Sequence, residues 1–122
     1  MEKIVVTRHA ALVEFLREIG LISEDTPIIS HARVEDVRGK HVIGVLPLAL
    51  AVEARTVTEV PLHIPQELRG KELSLDEVRM YAGAPVRYTV YRTEELLDVV
   101  ASESAYLTGA SIAHMDEELE QF

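Results

Sequence analysis

The stretch Ile4-Val5-Val6-Thr7-Arg8-His9-Ala10-Ala11-Leu12-Val13-Glu14-Phe15-Leu16-Arg17 decides the fold class. Ile4, Val5 and Val6 form a β-branched apolar run, too short for a helix and typical of a strand covered on both faces. From Leu12 the period changes. Leu12, Phe15, Leu16 and Ile19 recur at helical spacing, while Glu14, Arg17 and Glu18 fall on the other side. Between strand and helix stand a hydroxyl, a permanent cation and an imidazole: Thr7, Arg8 and His9. In open α/β sheets, ligands bind beyond the carboxyl ends of strands, where the first free N–H groups of the next helix favour an anion. A plain polar loop is the competing explanation for the same three residues.

The pattern repeats along the chain. Gly20 suits a helix C-cap, and Ser23 to Pro27 a loop. Ile28-Ile29 starts a short second strand ending at Ser30-His31. Arg33 to Lys40 reads as a polar connection with a turn at Gly39-Lys40. His41 to Val45 reads as a third buried strand. Pro47 follows at the expected first helical position, with Leu48, Leu50, Ala51, Val52 and Ala54 forming a short helix. Val57 to Ile64 reads as a fourth strand, with Pro61 pointing to an edge or a bulge. Ser74 and Glu77 form a capping box for a helix from Leu75 to about Tyr81. Val86 to Tyr91 is a fifth strand. A further helix is expected over 94–101, with another beyond Gly109. The alternation predicts a compact Rossmann-like α/β domain of about five strands, parallel except for the last return.

Composition narrows the function. The 122 residues suffice for one domain with a real core. There is no Cys, which removes disulfides, thiolate nucleophiles and Cys-type zinc sites. No apolar run is long enough to span a bilayer, and the chain enters a strand almost at once, so neither a membrane anchor nor a signal peptide is expected. A cytoplasmic protein is the simplest expectation. The net charge of −9 is unevenly placed: residues 93–122 carry eight acids and no Lys or Arg, whereas residues 1–92 carry 13 acids against 12 cations. The acidic segment disfavours coating of long nucleic acids, and the near-neutral body leaves room for a small anionic ligand.

Three segments bear chemistry. Arg8 can fix a phosphate through parallel hydrogen bonds, and His9 can move a proton near neutral pH. Gly44 permits close backbone approach before the helix that follows Leu46 and Pro47; simple strand–helix packing explains it equally well. Arg69 and Lys71 flank Gly70 ahead of the capped helix and suit either a mobile closing loop or a solvated turn. His31 ends a strand on the same side as His9. His41 begins one at the opposite end, and His63 is a weaker candidate. No metal-ligand spacing, Walker loop, dinucleotide fingerprint or nucleophile elbow occurs, so no cofactor or metal is expected.

Taken in order, Val-Thr-Arg-His (residues 6–9), Ile-Ser-His-Ala (29–32), Val-Ile-Gly-Val-Leu-Pro-Leu-Ala-Leu-Ala (42–51), Glu-Leu-Arg-Gly-Lys-Glu-Leu-Ser (67–74) and Tyr-Ala-Gly-Ala (81–84) resemble a known family. It comprises the small CRISPR-associated proteins of type III systems that act as stand-alone ring nucleases. The resemblance implies a Rossmann-like fold related to CARF domains, usually a homodimer. It implies cleavage of a cyclic oligoadenylate, foremost cyclic tetra-adenylate, by metal-independent attack of a ribose 2′-hydroxyl on its neighbouring phosphate. Arg8 and His9 then become the catalytic candidates. Thr7, His31, Gly44, Leu46, Pro47, Arg69 and Lys71 become substrate-binding candidates, and Gly70 and Glu72 match the family's third motif. His31-Ala32-Arg33 departs from the His-Leu-Asp expected there, and residues 93–122 have no counterpart. A non-cleaving sensor of the ring and a structural adaptor are the competing classes.

Overall fold

The computed structural model describes residues 2–103. The chain divides into two units, Met1–Val90 and Tyr91–Phe122. The first is a five-stranded sheet flanked by helices. In chain order its elements are β1 (Lys3–Val6), α1 (Ala10–Glu18), β2 (Ile28–Ile29), α2 (Val34–Val37), β3 (His41–Gly44), α3 (Leu48–Ala51), β4 (Thr56–Glu59), a 3₁₀ turn (Gln66–Leu68), α4 (Leu75–Tyr81) and β5 (Val86–Tyr88). The strand order is β2-β1-β3-β4-β5. The first four strands run parallel, and β5 returns antiparallel beside β4. The Rossmann-like α/β expectation therefore holds.

Alternation along each strand sends successive side chains to opposite faces and so divides the core. Ile4, Val42 and Val57 face one way and pack with Val37 of α2 and Ala51 of α3. Val5 and Ile43 face the other way and pack with Val13 and Leu16 of α1. Val5, Leu16, Val37 and Val42 are fully buried. Helix α1 ends as Gly20 adopts φ 77°, while the amide of Leu21 donates to the Leu16 carbonyl at 3.0 Å. The capping box of α4 is formed: Glu77 N–H donates to Ser74 Oγ at 3.2 Å, and Ser74 N–H to Glu77 Oε1 at 3.0 Å. Arg79 of α4 pairs with Glu18 of α1, and the guanidinium holds that carboxyl below its usual range.

Several elements differ from expectation. The stretch 33–40 contains the one-turn α2, because Val37 turns its apolar side chain onto the sheet although Asp36 and Arg38 beside it are charged. Helix α1 starts at Ala10 rather than Leu12, and Pro47 is the N-cap of α3 instead of its first helical residue. The fourth strand stops at Glu59, well short of Ile64. Pro61 lies beyond it, and β4 is an interior strand, so Pro61 marks neither an edge nor a bulge within the sheet. After it the chain leaves the ladder: His63 N–H donates to Tyr81 O at 2.9 Å and Gly83 N–H to Pro61 O at 2.7 Å, tying residues 61–63 to the end of α4. Strand β5 ends at Tyr88.

In the second unit, α5 covers Thr93–Glu103, beginning slightly earlier than expected. Arg92 pairs with Glu95 at 3.1 Å. The helix expected beyond Gly109 lies outside the described residues. No helix among the described residues is long and apolar enough to cross a membrane.

Candidate functional site

The connection from β1 passes through α1 to β2 on one side, while that from β3 passes through α3 to β4 on the other. The carboxyl ends of β1 and β3 therefore diverge, which is where open α/β sheets leave a crevice. A hollow of about 380 Å³ opens there. Thr7, Arg8 and His9 enter it from β1, Ser30 from β2, and Gly44 and Val45 from β3. Leu12, Leu16, Ile43, Val60 and Leu62 form an apolar floor, and among the described residues no carboxylate stands in the wall. A second hollow of about 500 Å³ adjoins it across Arg8, His9, Leu12 and Leu62. Gly70, Lys71, Glu72 and Leu73 close its far side.

The turn after β1 is held at both ends. Thr7 N–H donates to Ile29 O at 2.9 Å, keeping the strand end beside β2. The hydroxyl of Thr7 accepts the amide of His9 at 3.2 Å, which fixes the direction of the chain into α1. His9 is the extended N-cap of α1, and its ring makes no capping bond. The helix thus uses the His9 backbone and leaves the imidazole to the hollows.

Arg8 reaches back across the strand ends to His31. Its Nη2 lies 3.1 Å from His31 Nε2 and 3.2 Å from Nδ1, so it donates to one ring nitrogen at a time. The accepting nitrogen carries no proton in that arrangement. Arg8 has no carboxylate partner among the described residues. The site thus presents a guanidinium held against the His31 ring, with a second imidazole next in sequence.

Gly44 has a reason independent of any ligand. Its φ is 141°, and a Cβ there would stand 2.2 Å from the Val6 carbonyl oxygen. The close approach of β3 to β1 requires glycine, and it also opens the floor of the crevice.

Of the residues expected at a site, Thr7, Arg8, His9, His31 and Gly44 are brought together, and Lys71 lines the adjoining hollow. Leu46 and Pro47 are not. Leu46 packs on the α2–α3 side of the core, and Pro47 is exposed as the N-cap of α3. Arg69 is exposed at the end of the 3₁₀ turn and lines neither hollow, and neither does His63. His41 sits at the amino end of β3, as expected. Sequence reasoning missed Ser30, which follows β2 as Thr7 follows β1, and that shared position was the available signal. It also missed Leu62, which was hidden by the assumption that the strand continued. Among the described residues, no three His, Asp or Glu side chains gather as a metal-ligand set.

Residues 4–91 match the model of a family described as "Putative CRISPR-associated protein (Cas_VVA1548)". No curated protein and no solved structure matches the chain.

Proposed function

The chain belongs to this family of CRISPR-associated proteins, and from that premise we propose that it is a ring nuclease acting on a cyclic oligoadenylate, foremost cyclic tetra-adenylate. The observation that carries the reading is the crevice between β1 and β3. There Arg8, braced by His31, stands beside His9 above an apolar floor with no carboxylate in the wall among the described residues. A guanidinium free of carboxylates suits a phosphodiester, and the floor suits the face of a base.

In an RNA ring each 2′-hydroxyl lies beside its own 3′-phosphate. Attack of the 2′-oxygen on phosphorus forms one P–O bond, and departure of the 5′-oxygen breaks another. The products carry a 2′,3′-cyclic phosphate and a 5′-hydroxyl. Arg8 stabilises the charge gathering on the non-bridging oxygens, and His31 holds the guanidinium in place for it. His9 takes the proton from the attacking hydroxyl or gives one to the leaving oxygen. No step requires a metal. A ring of four nucleotides fits a site made by two copies of the chain, each supplying one Arg8 and one His9. This arrangement is that of a CARF-related homodimer.

The test is incubation of the purified protein with cyclic tetra-adenylate in excess EDTA, with products resolved by mass. Linear products ending in a 2′,3′-cyclic phosphate support the nuclease. Recovery of the intact ring bound to the protein would replace it with a sensor. Absence of binding would refute both readings.

A further inference from the structure

A third hollow, of about 260 Å³, shares only Ile43 with the lining of that crevice. Lys3 of β1, His41 of β3, Thr58 of β4 and Arg87 of β5 contribute to its wall, with Leu21 and Ile43 as its apolar part. Strand register explains the gathering. Lys3 pairs with His41, Ile43 with Thr58, and Thr58 with Arg87. Lys3 and His41 stand two residues before Val5 and Ile43, so all belong to the sheet face that α1 covers only in part.

Among the described residues, the polar groups of this wall are basic or hydroxylic, and none is a carboxylate. Lys3 Nζ donates to Leu21 O at 2.9 Å, which orients the ammonium and leaves two further donors. Arg87 has no ion-pair partner among the described residues. Thr58 is only 7% exposed, and its hydroxyl has no hydrogen-bond partner among the described residues. The hydroxyl is not sealed in the core, so it is open to the hollow as a donor. His41 Nδ1 lies 2.5 Å from Thr56 Oγ1. Burial, followed by the charges of Arg87, Arg55 and Lys3, holds its imidazole below the usual histidine range. The same cations that disfavour a proton on His41 favour an anion beside it.

We propose that this hollow binds a phosphate dianion, either inorganic phosphate or the terminal phosphate of a monoester. Arg87 offers its fork, Lys3 its remaining ammonium protons, and Thr58 its hydroxyl.

The experiment titrates inorganic phosphate into the full chain at neutral pH and constant ionic strength, following backbone amides by NMR. Saturable shifts at Lys3, Thr58 and Arg87 are expected. Arg87→Gln should weaken binding about tenfold, the worth of a charge-assisted hydrogen bond. Thr58→Val removes only an unpartnered hydroxyl; it keeps the fold and weakens binding by about threefold. Arg8→Ala leaves the affinity unchanged. Adenosine 5′-monophosphate separates the sources: tighter Arg87-dependent binding of the nucleotide points to a terminal phosphate, and the reverse order to free phosphate. Non-saturating shifts would overturn the proposal. So would affinity lost in Arg8→Ala and kept in both Arg87→Gln and Thr58→Val.

Discussion

Gly44→Ala tests the geometry on which the crevice depends. Two separate costs follow from the structure. The backbone at φ 141° lies where side chains are strained, which costs about 1–3 kcal/mol. The new methyl would also stand 2.2 Å from Val6 O, well inside contact distance and against backbone that cannot rotate away. Forcing that space open is an overpacking cost of about 1–3 kcal/mol more. The sum, about 2–6 kcal/mol, is a large part of the roughly 5–15 kcal/mol that holds a domain folded. Gly20→Ala is the control. Its φ of 77° carries about 1–2 kcal/mol of left-handed strain, but nothing lies within 4 Å of the added methyl. Urea denaturation of both variants, compared at unchanged slope, reads the difference. Both variants carry backbone strain, so Gly44→Ala should be the less stable by the overpacking cost, about 1–3 kcal/mol. Equal midpoints would refute the close approach of β3 to β1. Displacement of Val6 also moves Thr7 and the turn after it, so a folded Gly44→Ala protein should bind ligand poorly.

Arg8→Ala should weaken ring binding and slow cleavage together, because a permanent cation contacts phosphate in ground and transition states alike. His9→Ala should keep ring binding and lose about 10²–10⁴-fold in single-turnover rate; a folded variant at the parental rate would remove His9 from the chemistry. His41 gives the chain an acid-side liability. Burial and the nearby Arg87, Arg55 and Lys3 hold its folded pKa below the ordinary 6.5, so the unfolded chain takes up the proton first. Stability should therefore fall as pH drops below about 6.5 toward the folded value. Urea midpoints of His41→Asn should show a shallower decline over that window, and identical declines would refute the assignment. Ser74→Ala should cost about 1 kcal/mol in the same assay through loss of the α4 cap.

The sequence made the frame of this fold legible where periodicity and punctuation agreed. Ile4–Val6 and the Leu12–Ile19 period specify a covered strand followed by a helix, and Ser74 with Glu77 marks α4 within a residue. Legibility failed where tertiary contact outweighs local pattern. Val37 is fully buried in a stretch of charges, and only the sheet beneath it makes α2 a helix. Thr56 to Ile64 has strand composition throughout. Even so, the chain leaves the ladder after Glu59 because residues 61–63 find partners at the end of α4. At the site, residues adjacent to strand ends were readable because topology places them. Leu46, Pro47 and Arg69 were not, since which way a loop side chain turns is settled by packing several residues away.

The same reasoning explains why the most informative contact of the site joins residues 23 positions apart. Strand β2 has only two residues, too few to bury much surface, and two bonds to β1 bracket it: Val5 N–H to Pro27 O and Thr7 N–H to Ile29 O, each 2.9 Å. The second bond brings Ser30 and His31 alongside Thr7 and Arg8. On the other flank the Val6–Gly44 pairing sets the floor from β3. The turn after β1 is thus positioned from both sides by backbone pairing, and the Thr7 hydroxyl fixes its exit. Arg8 is consequently held by a neighbour that is itself anchored to the sheet. A guanidinium on a free loop would lose much of its value to conformational entropy; one braced by His31 has part of that cost met before a ligand arrives. Loss of the His31 ring should accordingly act on Arg8 rather than on the fold, since both side chains are exposed and neither belongs to the core.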